Sequence, residues 1–554
     1  MYSNKNLLQY FPEDKTPRDI QVDLIKKLQD SLKSDKKFIC LNAPPGTGKS
    51  CLAATLAKSS DIPSNDFINF VNSYKIWSDA GIEDAYKYPK YGAAVLTVTK
   101  NLQDQYIESF KDICSFKGKI NYVCQFDNQF LVDEAPCNES KKLKLECWNC
   151  NRCTYYEDRN RSLENIFSVY NYDVFLNLPS HTRRKQLLIC DEASELEDII
   201  VNFFSVDITY DNIEKLLDIE KYPRLINEDK DSKDWLSNLL DQINLRINQL
   251  KNELKIKPNQ KNTKKLKALN QLFLEIQRVI NYWGENGENP DAVEYIVEKV
   301  SPDKYNKNVL EGVNFTPFKV NKLASYLFND VDKVIFLSAT IIDHRKQLGD
   351  LGIEQKDYIY IESPSIFDAK KAPIYIDGNY PLTFKELSKN IPKVTEMIKN
   401  ILEIHKNDKG LIHTVSFKIT KYLSDNIDND RLIYRSIGKN NQELMNEHSQ
   451  TDKPTVMVSP SMSHGVDLTG DLGRFQIISK VPYPSLNSKR IKRLSKVDPQ
   501  WYINKTLLTI IQMCGRCNRS ETDEAVTYIV DGSIKNLLRR NWNKLPIYFR
   551  DRFK

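Results

Sequence analysis

The sequence predicts an α/β fold class: two parallel-sheet lobes, the first interrupted by a cysteine-rich insertion and a helical arm. Three observations carry this expectation. Lys37 to Asn42 reads as a strand and Cys51 to Lys58 as a helix, and between them Ala43-Pro-Pro-Gly-Thr-Gly-Lys-Ser50 reads as a phosphate-binding loop. Leu187 to Cys190 is a short apolar strand that ends at an acidic pair, Asp191-Glu192. A second alternation of strands and helices begins near Ala372 and runs to the end of the chain, as two stacked α/β units require.

Taken in order, Ile20, Leu24, Ile25, Leu28 and Leu32 recur at helical spacing, so a helix precedes the loop. Arg18 and Gln21 lie at its start and are assigned with the loop to nucleotide binding. Ala93 to Thr99 forms the next strand and leads into Lys100-Asn-Leu-Gln-Asp-Gln105. Six cysteines follow between Cys114 and Cys153. From about Val206 to Asn308 the pattern changes to long polar helices, with stripes from Trp235 and from Lys264 to Trp283, joined by a lysine-rich piece. Such a hairpin is either a solvated arm or one that grips nucleic acid. Strand signals return at Lys333 to Leu337, followed by Ser338-Ala-Thr340, and the second unit contributes strands at 410–414, 454–459, 475–479 and 526–530.

The loop chemistry is specific. Pro45 opens it, Gly46 and Gly48 let the backbone curl around Thr47 so that successive N–H groups face one phosphate cluster, Lys49 supplies a charge, and Ser50 a hydroxyl for Mg²⁺. A helix N-terminus follows, where free N–H groups favour anions. Ala43 stands at the first glycine position of the usual pattern and is small enough for the turn. Asp191 can hold Mg²⁺, and Glu192 can orient and activate the attacking water. Far along the chain, Gln512-Met-Cys-Gly-Arg516-Cys-Asn-Arg519 follows a helical run; arginines three apart on a helix share a face, so Arg516 and Arg519 can converge on a transferred phosphoryl group.

With 554 residues the chain accommodates about three or four domains. Its 80 Lys and Arg against 74 Asp and Glu make it only mildly basic, so a polyanion must be held by local patches. No apolar run approaches the roughly 20 residues that span a bilayer, and the first residues lack an apolar signal core, so a cytoplasmic protein is expected. Its eleven cysteines are then ligands, core residues or free thiols rather than disulfides. Cys147, Cys150 and Cys153 form Cys-x-x-Cys pairs suited to zinc or to an iron-sulfur cluster.

These motifs, in this order, resemble those of the XPD/DinG iron-sulfur group of superfamily 2 helicases, and most of all its compact DinG-like members from bacteria and phages. The phosphate loop, Thr97 to Gln105, Asn121-Tyr-Val-Cys124, Cys153-Thr-Tyr-Tyr156, Val169 to Tyr172, Asp191-Glu-Ala-Ser194, Leu337 to Thr340, Gly410 to Thr414, Gly465-Val-Asp467 and Gln512 to Arg519 carry the resemblance across nearly the whole chain. It implies two RecA-like lobes, with the first at 1–111, 166–205 and 309–368, an iron-sulfur domain at 112–165, a helical arch at 206–308, and the second lobe at 369–554. It implies ATP bound between the lobes, with Gly465 and Asp467 joining the nucleotide site and Gln512, Arg516 and Arg519 facing the loop from the second lobe. It also implies a [4Fe-4S] cluster on Cys124, Cys137, Cys147 and Cys153, with Cys150 the alternative to one of the middle pair. The expected partners are single-stranded DNA and DNA forks, in a bacterial or phage-infected cell, with the protein a monomer moving 5′ to 3′. Thr99, Lys100 and Gln105 are placed to touch a phosphate backbone. Tyr122, Trp148, Tyr155 and Tyr156, with Arg152, Arg159 and Arg161, either stack on separated strands or form the module's core. Two positions depart from the family: Ser194 stands where the family has His, and His464 where it has an acidic residue. Both bear on coupling hydrolysis to movement rather than on hydrolysis itself.

Overall fold

The computed structural model describes residues 6–73, 81–138, 141–149, 153–228, 231–256, 259–284, 290–301, 310–364, 368–435, 441–460, 468, 470–517 and 523–554. Strands are numbered along the chain. β1 (Phe38–Asn42), β2 (Tyr91–Thr97), β3 (Cys114–Ser115), β4 (Phe167–Asn171) and β5 (Lys185–Cys190) come first. β6 (Val206–Thr209), β7 (Tyr295–Val300) and β8 (Gly312–Pro317) follow, then β9 (Val331–Ser338) and β10 (Tyr358–Glu362). The second series is β11 (Ile374–Tyr380), β12 (Gly410–His413), β13 (Leu432–Tyr434), β14 (Val456–Ser459), β15 (Phe475–Ile478) and β16 (Val526–Asp531).

Two parallel sheets result. The first runs β10-β1-β9-β5-β2-β4-β3 and the second β11-β16-β15-β12-β14-β13. Their strands read as unbroken apolar runs because helices cover both faces: β5 is buried at every position, as is β14. The order places β1, β9 and β5 side by side, so the loop after β1, the Ser338-Ala-Thr340 turn after β9 and the acidic pair after β5 emerge at one sheet edge. Ligands of open parallel sheets bind at this carboxyl edge.

The arm is a helical hairpin, Ser232–Ile256 and Gln260–Tyr282. Leu236, Leu239, Ile243, Ile247 and Leu250 on one helix and Leu266, Leu269, Ile276 and Val279 on the other are buried at helical spacing, which closes the pair on itself. An antiparallel sheet, β6-β8-β7, sits at its base. Two strands cross the expected domain boundaries: β3, within 112–165, pairs with β4 of the first sheet, and β8, beyond 308, belongs to the arm's sheet.

Candidate functional site

The phosphate loop is shaped by two glycines in the left-handed region, Gly46 (φ 75°) and Gly48 (φ 82°), the second capping the helix Lys49–Lys58. A Cβ on Gly48 would lie 2.2 Å from Gln21 Nε2, so φ and space both require glycine. Arg18 and Gln21 brace the loop from the preceding helix: Arg18 donates to the Gly46 carbonyl at 2.5 Å and Gln21 to that of Thr47 at 3.2 Å. Thr47 turns inward and donates to the Pro44 carbonyl at 2.6 Å, and Lys49 Nζ lies 3.4 Å from the Ala43 carbonyl. The ammonium therefore stays inside the loop's curl, where a phosphate would meet it.

One strand away, Asp191 is buried, and burial together with the adjacent Glu192 charge pushes its carboxyl up to about 6, against the pull of Lys49. Tyr106 donates to Asp191 Oδ2 at 3.0 Å and also bonds Ser50, so the hydroxyl and carboxylate expected at Mg²⁺ face each other across one phenol. The Ser50 hydroxyl and the Asp191 carboxylate, with Glu192 adjacent and one lysine nearby, are hard oxygen donors that fit a divalent cation. Glu192 adopts a left-handed backbone (φ 50°), uncommon for a non-glycine residue, which turns the chain sharply after the strand. Sequence reading missed Tyr106. It lies one position past the Lys100 to Gln105 segment, on the buried face of the helix Lys100–Ser109.

Between the lobes lies a cavity of about 410 Å³. Thr99, Gln105, Glu192 and Glu195 line it from the first lobe, Gln512 and Arg516 from the second. The structure thus brings Glu192, Gln512 and Arg516 together. The helix Pro499–Cys514 ends before Arg516, which lies in the turn that follows. The shared-helix-face reading of Arg516 and Arg519 is corrected accordingly: Gly515 ends the helix. Arg519, Gly465, Asp467 and His464 fall outside the described residues, as do Cys150 and Arg152. Gln512 Nε2 donates to Glu195 Oε1 at 2.7 Å, a cross-lobe contact that motif reading missed.

The nucleic-acid candidates divide. Thr99 caps the helix Lys100–Ser109, accepting from the Leu102 N–H at 3.2 Å, and Lys100 bonds Asn121 at 3.0 Å. Tyr155 and Tyr156 are buried, and Tyr155 packs edge-on against Phe116, Tyr122 and Tyr156 with centroids 5.3–5.9 Å apart. Arg159 is buried beside both rings, whereas Arg161 is exposed and paired with Glu157 at 2.7 Å. Tyr122, Tyr155 and Tyr156 are therefore part of the module's core, and the Trp148 side chain lies outside the described residues. The arm's lysines face acidic neighbours: Lys264 meets Glu134 at 3.7 Å, Lys267 pairs with Asp133 and Lys265 with Asp218.

Among the thiols, Cys124, Cys137 and Cys153 are buried and Cys147 is half-buried. Burial raises the Cys137 thiol, with Cys124 and Cys153 near enough to add to it and Cys147 hydrogen-bonded to it. Three thiols around a fourth are soft donors of the kind that suit an iron-sulfur cluster or zinc. Among the described residues, however, no three His, Cys, Asp or Glu side chains meet where one metal ion could sit. Cys114 lies apart and accepts from Asn165 Nδ2 at 2.9 Å. No helix among the described residues is long and apolar enough to cross a membrane.

Fold and site define a two-lobed phosphate-loop motor, and comparison with known proteins agrees. The family model "Helicase C-terminal domain" matches residues 398–552, and "Type III restriction enzyme, res subunit" matches 14–226. The fold matches a solved XPD helicase at TM-score 0.62 with 15% identity, over 96% of this chain and 98% of that one. It matches Xpd4 of S. tokodaii at 0.54 and 15% (97% and 99%), and an apo XPD at 0.53 and 14% (94% and 98%). No curated protein matches the chain. The chain thus carries a region matching a helicase C-terminal domain and has the fold of the XPD helicases, which together support an ATP-dependent helicase that binds nucleic acid.

Proposed function

We propose that the protein is a DNA helicase that moves along single-stranded DNA, 5′ to 3′, and unwinds duplex by DNA-stimulated ATP hydrolysis. One observation carries the reading: the same interlobe cavity is lined by Glu192 from one side and by Gln512 and Arg516 from the other. ATP seated on the loop would place its γ-phosphate toward this cavity. Lys49 meets the phosphate charge, Glu192 orients the attacking water, and Arg516 stabilises charge that develops during transfer. Ser50 and Asp191 would hold Mg²⁺, which neutralises phosphate oxygens when bound. Arg18 and Gln21 keep the loop in shape, and the family resemblance assigns Arg519, Gly465 and Asp467 to the same nucleotide site. Binding draws the lobes together and hydrolysis releases them, so alternate grips on the DNA backbone give directed steps. Cys124, Cys137, Cys147 and Cys153, with Cys150 the alternative, would hold a [4Fe-4S] cluster that orders the module of 112–165. The protein acts as a cytoplasmic monomer at DNA forks.

The test is ATP turnover with single-stranded DNA, single-stranded RNA or neither, paired with strand displacement on 5′-tailed and 3′-tailed duplexes. DNA-stimulated turnover and displacement from the 5′ tail are expected. Turnover without displacement would make the protein a translocase, and stimulation by RNA alone would overturn the substrate.

A further inference from the structure

Past Glu192 the chain makes a short 3-10 turn, Ala193–Glu195, and enters the helix Leu196–Phe203. Three acidic side chains of this stretch meet the second lobe. Glu195 Oε1 accepts from Gln512 Nε2 at 2.7 Å, and Asp198 pairs with Lys505 at 3.0 Å. Glu197 accepts from Trp501 Nε1 at 2.8 Å and pairs with Arg490 at 3.0 Å and Lys505 at 3.2 Å. Lys505 and Gln512 are seven residues apart on the helix Pro499–Cys514, two turns along one face. Apart from Arg490, which lies on the preceding helix Lys489–Val497, the contacts form one seam along a single helix, whose C-terminal end delivers Arg516 to the cleft.

The two ends of the seam differ. Glu197 and Arg490 are enclosed, with side-chain exposures of 13% and 6%, and three donors surround one carboxylate. That end is fixed, because separating it would strand buried charge. Glu195 meets Gln512 and opens onto the cavity that also holds Glu192 and Arg516. The intervening Ser194 cannot make the link: its hydroxyl has no hydrogen-bond partner among the described residues and borders a void of about 50 Å³.

We infer that Glu195 is a positioning residue that relays the place of the second lobe to Glu192, with the Glu197 cluster as the pivot. The inference rests on reading the cleft as the ATP site. A helix anchored at Lys505 and drawn toward a phosphate at its far end moves Gln512 most. Gln512 then carries Glu195, which lies three residues from the water-positioning carboxylate. Displacements near 1 Å at such a carboxylate change rates by about 100-fold, so a single contact at this place suffices to gate turnover.

The test uses the full-length protein, ATP and a single-stranded oligodeoxynucleotide, and reads kcat, KM and the ratio of DNA-stimulated to DNA-free turnover. Glu195→Ala should lower the stimulation ratio about tenfold with KM for ATP within about twofold, since the contact acts on Glu192 and not on ATP. Glu195→Gln keeps an accepting oxygen and should hold the ratio within about twofold of wild type. Adding Gln512→Ala to Glu195→Ala should cost less than the product of the two single losses, because the changes share one contact. The inference is overturned if Glu195→Ala leaves the ratio unchanged, if Glu195→Gln falls with it, or if the two losses multiply. Should Glu195→Ala fail to fold, the exchange Glu195→Gln with Gln512→Glu retains a donor facing an acceptor and must restore stimulation; failure to do so also overturns it. A wild-type protein that never turns over ATP sinks the motor reading itself, whereas an active wild type with an indifferent Glu195 sinks only the relay.

Discussion

The phosphate loop and the cysteine module are the two proposed sites for inorganic chemistry, and the chain builds them differently. Eight consecutive residues make the loop, and its geometry follows from two positive-φ glycines and from carbonyls held by Arg18, Gln21 and Thr47. The module draws its four thiols from positions 124 to 153, and they lie near one another without meeting at a point. A contiguous site is shaped by its own backbone before any ligand arrives. A dispersed one depends on what packs around it and on what binds, because the ligand's binding energy is also the energy that orders the segment.

The sharpest way to break the comparison is at the contiguous site. Lys49→Ala removes the charge that meets the phosphates, and Glu192→Gln removes the carboxylate that positions water, so either should lower DNA-stimulated turnover by about 100-fold or more. Glu192→Gln should still bind ATP, since the loop and its braces are untouched. Equilibrium binding of a fluorescent ATP analogue beside a turnover assay checks both. Wild-type turnover in either variant would remove the loop and acidic pair from the reaction.

The next largest effect belongs to the dispersed site. Cys124→Ser or Cys153→Ser should release iron from anaerobically prepared protein, and amide exchange should quicken across 112–165, because metal-bound thiolates are poorly replaced by hydroxyls. Among the described residues the interlobe cavity takes no lining residue from that segment, so some hydrolysis should persist while unwinding fails. Substituting Cys137, Cys147 and Cys150 singly identifies the non-ligand as the one that retains iron. Stoichiometric zinc without iron in the wild type would replace the cluster and leave the motor intact.

The same contrast governs what could be read from sequence. The loop, the acidic pair and the parallel strands were legible because each is a short local pattern, and β1, β5, β12 and β14 to β16 lie where apolar runs place them. The sheet β6-β8-β7 was not, since β6 and β8 are about a hundred residues apart and their pairing is a tertiary event. Aromatic composition alone left Tyr155 and Tyr156 open between stacking on bases and filling a core; burial decided for the core. Arg516 was read onto a helix although Gly515 already marked the stop, a C-terminal signal overlooked in favour of spacing. Glu195 had no pattern to announce it, because its partner lies 317 residues away.

The smallest effect tests whether charges behind the contiguous site are compensated by protein alone. Burial raises the Glu197 carboxyl, but Lys505 and Arg490, with the Trp501 N–H, outweigh it and hold the group below the ordinary carboxylate value. The unfolded chain, with a glutamate value of about 4.3, therefore binds more protons than the native state between the two values. Stability from this group is complete above the unfolded value and is lost as pH falls through the folded one. Lys505 and Arg490 keep their charge throughout, so acid leaves two buried cations facing a neutral acid. Thermal melts taken from about pH 6 to about pH 3 should show wild-type stability falling faster than that of Glu197→Gln, which starts lower but cannot titrate at this position. Parallel pH slopes in the two proteins would mean that the interlobe pivot does not rest on the Glu197 charge.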